Sequence, residues 1–362
     1  MAGTRRLRIA QVAPLSERVP PKMYGGTERV IYALTEELVR RGHEVTLFAS
    51  GDSTTSARLE SVYPRSLREA RILDHRALDL TLLNIAHAYR QNDQFDIIHD
   101  HHCQLVLPTA QFSPTPVVLT LHGPVASTVR KLFGLMPRPS LVAISNSQAK
   151  SAPELNIEHV VYNGLDLQHY PFQAFIGPEP YLLHVGRISE EKGTDVAIEV
   201  AQALDMPLII AAKLDQADLE YFNRKVAPKL SGDRIKWVGE VDEAERNRLM
   251  TGALCLLNPI QWREPFGLVM IEAMACGLPV ISFANGSAPE LIKHGVTGFL
   301  VSDAEEMIDA VSRVRTLDRR ACRDHALTAF SASAMADGYE AVYEAILANQ
   351  QHRVTPAPLA AL

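Results

Sequence analysis

Two carboxylates eight residues apart, Glu264 and Glu272, stand in REPFGLVMIEAMACGLPVISF, a stretch that is otherwise nearly all apolar across its centre. A carboxylate flanked by Val269, Met270, Ile271, Ala273, Met274 and Ala275 has few wet faces. Unpaired, it would cost roughly several kcal/mol or take up a proton. Glu272 therefore needs a partner that the neighbouring sequence does not supply. Upstream, HVGRISEEKG puts Arg187 and Lys192 five positions apart on a loop after a strand, with Gly186 and Gly193 giving the backbone latitude. Two cations over one pocket suit a diphosphate, Arg through its planar fork and Lys as a point charge; the competing reading is two solvated surface charges. The segment REPFGLVM predicts a helix beginning near Phe266 or Gly267, whose free N–H groups would also hold a phosphate. Glu272 then lies roughly 8 Å further along the axis, a spacing compatible with the ribose attached to that phosphate. On this reading the missing partner of Glu272 is a ligand; the alternative is an unseen arginine or buried backbone.

These residues need strands to carry them. Short apolar runs (LRIAQVAP, EVTLFAS, FDIIH, PVVLTLHG, SLVAISNS) alternate with longer amphipathic segments, and after residue 180 the alternation restarts with YLLHVGR, PLIIAAK, RIKWVGE, ALCLLNP and PVISF. That is the βα period of α/β domains with parallel, doubly wound sheets. A chain of 362 residues is long for one core. Two Rossmann-like domains are predicted, 1–172 and 173–334, joined by the Pro- and Gly-containing stretch 171–180 and followed by a helix over 335–350 and a tail over 351–362. Ligands of such sheets bind beyond the carboxyl ends of the strands. Gly25 and Gly26 follow the first strand, His122 ends VVLTLHG, Arg187 ends YLLHVGR, and Glu264 lies beyond ALCLLNP.

Composition excludes several classes. The net charge of −6 argues against general nucleic-acid binding. No run reaches the roughly 18 to 20 apolar residues of a membrane span, and the start lacks a signal-peptide core, so a cytoplasmic protein is expected. Cys103, Cys255, Cys276 and Cys322 show neither zinc spacing nor a disulfide framework. His99, His101 and His102 in IIHDHH suggest a metal, but adjacent strand positions point apart and no spaced partner completes a shell. No metal site is assigned.

Taken together, YGGTERV, RRGHEVTLFA, VVYNGLD, GRISEEKG, the Glu264/Glu272 pair and EAMACGLPVI resemble the family-4 retaining glycosyltransferases of GT-B fold, over about residues 7 to 347. The resemblance implies two Rossmann-like domains facing across a cleft, the C-terminal helix crossing back to the N-terminal domain, and a nucleoside diphosphate sugar as donor, without cofactor or metal. It implies that Arg187 and Lys192 hold the diphosphate, Glu272 the ribose and Glu264 the transferred sugar. Phe266, Gly267 and Leu268 would supply backbone contacts, His122 would stand beside the reaction centre, and Gly25 and Gly26 would belong to the loop approaching the phosphates. One departure is visible: a glycine-rich turn is usual after the second strand of the C-terminal domain, and here IIAAKLDQ carries Ala212 and Lys213. Lys213 is read as an ordinary surface lysine, an extra phosphate cation being the alternative.

The expected reaction is transfer of a hexose, with UDP-glucose as the preferred donor guess, to a hydroxyl of an unidentified acceptor by a front-face route. The rivals are a GT-B nucleotide-sugar epimerase and a catalytically silent nucleotide-sugar-binding subunit. The acceptor pocket is expected from LSERVPPKMYGGTE and GPVASTVRKLFGLMPR. In the second, Arg130, Lys131 and Arg138 among Leu132, Phe133, Leu135 and Met136 could rest peripherally on an anionic membrane, or form a plain amphipathic helix with a solvated basic face.

Overall fold

The computed structural model describes residues 5–23 and 25–354. Two all-parallel sheets organise it. The first contains β1 (Arg8–Val12), β2 (Glu44–Phe48), β3 (Arg58–Glu60), β4 (Ile97–Asp100), β5 (Val117–Leu121), β6 (Ser140–Ala143) and β7 (His159–Val160), in the order β3-β2-β1-β4-β5-β6-β7. The second contains β8 (Leu182–Arg187), β9 (Leu208–Lys213), β10 (Ile235–Gly239), β11 (Cys255–Asn258), β12 (Val280–Phe283) and β13 (Gly298–Val301), in the order β10-β9-β8-β11-β12-β13. Strands such as VVLTL and VISF are buried along their whole length. This is why they read as continuous apolar runs: helices cover both faces of a parallel sheet. In each sheet the strand order reverses beside its first strand, at β1/β4 and β8/β11, and the crevice of a doubly wound sheet lies there.

The chain passes between the sheets twice. The first passage follows β7 through residues 161–181; the second enters the helix Ala332–Val354. The passages lie against each other: Leu165 N–H donates to Phe330 O at 3.1 Å and Ala332 N–H to Leu165 O at 2.8 Å. Gly164 permits this approach, since a Cβ there would stand 2.2 Å from Ser331 O. The helix Ala332–Val354 then packs on the first sheet's side. Tyr339 and Tyr343 are fully buried, bonded to Thr120 and to His99 respectively, and Glu340 accepts from Arg41 at 2.5 Å. This helix starts three residues before the 335–350 span of the sequence reading and continues into the expected tail; residues 355–362 lie outside the described residues. Among the described residues no helix is long and apolar enough to cross a membrane.

Candidate functional site

A cavity of about 360 Å³ opens between the carboxyl ends of the two sheets. All ten residues singled out from the sequence line it: Gly25, Gly26, His122, Arg187, Lys192, Glu264, Phe266, Gly267, Leu268 and Glu272. They are brought together from the loops after β1, β5, β8 and β11, although 247 positions separate the first from the last in the numbering. Two helix N-termini face the space, Gly26–Arg40 from one domain and Leu268–Ala275 from the other, and no side chain caps either. Helices elsewhere are capped, by Asp242 and Asp303 for example. The open N–H groups at the cavity therefore remain available to an anion. Gly267 enters the second helix at φ 87°, where a Cβ would fall 2.5 Å from Met270 Cε, so the sharp entry requires glycine. Across the cavity Gly26 lets the first helix approach Leu268.

The charged groups are paired. Lys192 Nζ bonds Glu264 Oε2, which also accepts from Trp262 Nε1–H at 3.1 Å. Arg187 donates to Glu191 at 3.0 Å and lies 3.3 Å from Asp218. Ser189 fixes the turn that carries Lys192 by accepting from its backbone N–H. Lys213 differs from the expectation of a surface lysine: it lines the cavity at the end of β9, paired with Asp215 at 2.6 Å. Ala212 and Lys213 continue the strand there, so the usual glycine turn is replaced by a side chain that reaches the site.

Glu272 corrects the sequence reading. Its partner is not missing. Arg29 Nη1 bonds its Oε1, Arg246 Nη2 lies 3.0 Å away, and Tyr170 O–H donates to it at 3.1 Å. Burial works to raise this carboxyl, but Arg246 and Arg29 outweigh it and hold it below the usual range. These partners come from three distant places: helix Gly26–Arg40, helix Glu243–Gly252, and the first interdomain passage. Arg29 stands within YGGTERV, yet no local spacing marks it as a partner for Glu272, 243 positions away. Glu272 still lines the cavity. The neighbour of Arg29 in YGGTERV, Glu28, was also missed: it is buried against the cavity, and burial pushes its carboxyl up to about 7.

The histidines of IIHDHH are an internal network. His99 and His101, two apart at the end of β4, lie on one side with ring centroids 4.3 Å apart. His101 Nδ1 is 2.8 Å from His122 Nε2, while His102 turns away to Asp100 at 2.9 Å. Burial pushes His122 down to about 4 and holds His99 and His101 well below the ordinary imidazole range. Among the described residues, no cluster of three or more His, Cys, Asp or Glu is placed to hold a metal ion. The expected basic face of the 127–135 helix is also partly committed: Arg130 bonds Val125 O, Ser151 O and Glu154, and Phe133 is buried, while Leu135 is exposed.

Two cross-domain contacts lie beside the cavity, one on the loop that leads into Leu268–Ala275 and one on the helix Ala288–Leu291. Ser145 O–H donates to Pro265 O at 2.6 Å. Glu290 accepts from the backbone N–H groups of Asn146 and Ser147 at 2.8 and 2.7 Å and from Tyr162 O–H at 2.9 Å.

Residues 24–169 match the family described as Glycosyltransferase Family 4, and residues 169–325 match Glycosyl transferases group 1. N-acetyl-alpha-D-glucosaminyl L-malate synthase of Bacillus anthracis is 24% identical, the match covering 91% of this chain and 96% of that protein. The solved structure of AviGT4, a glycosyltransferase involved in avilamycin A biosynthesis, is 25% identical and superposes with a TM-score of 0.73, covering 95% of this chain and 98% of its own. HepE of Anabaena, solved in complex with UDP-glucose, shares the fold at 18% identity and a TM-score of 0.69, covering 96% of this chain and all of its own.

Proposed function

Because the chain belongs to the glycosyltransferases of GT-B fold and family-4 type, we propose that it transfers a hexosyl group from a UDP-sugar to an acceptor hydroxyl with retention of configuration. The observation that carries this reading is the meeting, in one interdomain cavity, of Arg187, Lys192, the open N-terminus of Leu268–Ala275 and the two carboxylates Glu264 and Glu272. Arg187, Lys192 and that helix end offer positive potential to a diphosphate. Glu272 offers acceptor oxygens to ribose hydroxyls, and Glu264 does so for the transferred sugar.

In the front-face route the bond from the anomeric carbon to the diphosphate oxygen breaks, and the acceptor oxygen bonds the same face. The acceptor's proton passes to the departing diphosphate. The enzyme's part is electrostatic: Lys192, Arg187 and the Leu268 N–H region stabilise the charge that grows on the leaving group. Lys192 reaches this state by sharing or exchanging its bond to Glu264. UDP is favoured as the nucleotide because HepE, of the same fold, is solved with UDP-glucose. The reading takes the reaction to be metal-independent, and transfer in excess EDTA should proceed at its starting rate; loss restored by Mg²⁺ or Mn²⁺ would overturn that part.

A thermal-shift panel of UDP, GDP, ADP and their sugars, followed by donor hydrolysis by the purified chain, tests the whole. Stabilisation by UDP and release of hexose from one UDP-sugar are expected. Binding with neither hydrolysis nor transfer in an acceptor panel would make the chain a silent nucleotide-sugar-binding subunit.

A further inference from the structure

Beneath His122 a chain of hydrogen bonds runs through the first domain to the C-terminal helix. His122 Nε2 meets His101 Nδ1 at 2.8 Å, and His101 Nε2 meets Gln11 Oε1 at 2.8 Å. The Gln11 amide nitrogen is 3.3 Å from His99 Nδ1 and 3.4 Å from the Tyr343 hydroxyl, which is itself 2.7 Å from His99 Nδ1. His99 Nε2 meets Thr120 at 2.7 Å, and the Thr120 hydroxyl meets that of Tyr339 at 2.8 Å. Gln11, His99 and Tyr343 are fully buried, and His101 is 5% exposed. These buried groups have no water to turn to, so they must satisfy one another.

The protons can be followed from the amide. A carbonyl oxygen only accepts, so His101 Nε2 carries the hydrogen that faces Gln11. The short contact suits N–H···O, and the longer one to His99 suits the amide nitrogen. His101 is neutral in its buried site, hence its Nδ1 is bare and accepts from His122 Nε2–H. His122, neutral in turn, keeps Nδ1 without a hydrogen. His122 lines the cavity.

We propose that Gln11 and His101 are positioning residues that lock His122 as the Nε2–H tautomer, so that its bare Nδ1 accepts a hydrogen bond from a substrate hydroxyl in the cavity. The proposal rests on the glycosyltransferase reading for the identity of that hydroxyl, but the tautomer does not depend on turnover. The relay explains why a strand interior carries polar Gln11 and His99 where an apolar residue would fill the space. It also ties the site's geometry to Tyr343 on the helix Ala332–Val354.

The test begins with the full-length protein labelled with ¹⁵N at histidine, the His122 signal being assigned by its loss in His122→Asn. Long-range ¹H–¹⁵N correlation should show His122 neutral at pH 7 with the proton on Nε2. A proton on Nδ1 overturns the proposal, whatever the activity. Gln11→Met keeps the volume and removes the acceptor; it should mix the two tautomers and lower kcat roughly tenfold with little change in donor KM. If Gln11→Met leaves both tautomer and kcat at wild-type values, the relay does not position His122. Absence of any transfer or hydrolysis alongside the Nε2–H signal would instead count against the functional reading alone.

Discussion

On the side of the cavity built by the second sheet, Lys192 faces Glu264 and Arg187 faces Glu191 and Asp218, whereas the wall under His122 is made of neutral imidazoles, an amide and phenols. The two walls do different work. A cation resting on a carboxylate can pass to an incoming phosphate at small net cost, because one charge-assisted bond replaces another. A buried neutral relay has no such freedom. It fixes which lone pair the site presents and excludes a proton from it. The charged wall is suited to binding and releasing a dianionic group; the neutral wall is suited to holding one direction constant.

Removing a charge from the first wall should have the largest effect. Lys192→Ala is expected to abolish turnover with the fold retained, and to weaken nucleoside diphosphate binding by about 1.5 to 3 kcal/mol. Unchanged affinity by calorimetry would detach Lys192 from the diphosphate. The two carboxylates should then separate. Glu264→Gln is expected to lower kcat at saturating donor while leaving affinity for the free diphosphate near wild type, since that ligand has no sugar to touch. Glu272→Gln should weaken the free diphosphate by about 1 to 2 kcal/mol. Equal losses for both variants would mean that the charged wall is not divided between sugar and ribose.

The contact of Arg29 with Glu272 is smaller in function and larger in structure. Arg29→Met leaves the buried carboxylate with Arg246 and Tyr170, so a loss of about 2 kcal/mol in stability is expected, less than for a carboxylate left alone. An unaltered thermal midpoint would show that Arg246 suffices.

The last effect is in the response to pH. His122 has a folded pKa of about 4 against an ordinary 6.5, so between these values the unfolded chain binds more protons and stability falls as pH falls. The effect is about 2 kcal/mol, discounted for the face that His122 keeps open. Glu28 runs the other way. Its folded pKa of about 7 against 4.5 means that stability is lost as pH rises through that window. Thermal midpoints from pH 4 to 7 should therefore rise more steeply with pH in Glu28→Gln and less steeply in His122→Asn than in the wild type. The reverse order would show that neither group is buried as described.

What could be read from sequence follows the same division. Arg187, Lys192 and Glu264 were legible because each stands just past an apolar strand, where doubly wound sheets gather their ligands. The helix at Leu268 was legible within one or two residues from the glycine before an apolar run. The partners of Glu272 were not, since Tyr170 and Arg29 come from 102 and 243 positions away, and pairing at that range is decided by packing. His101 lay between these cases. Its two-residue spacing from His99 puts both on one face of a strand, a signal of shared surroundings that says nothing of which partner fills them.

The paired passages between the sheets have a mechanical meaning. Leu165 is bonded on one side to Phe330 and on the other to Ala332, and Gly164 presses against Ser331, so the two connections form a single seam. Neither connection can therefore shift along this line without carrying the other: a displacement of residues 164–165 pulls on residues 330–332, and through them on the start of the helix Ala332–Val354.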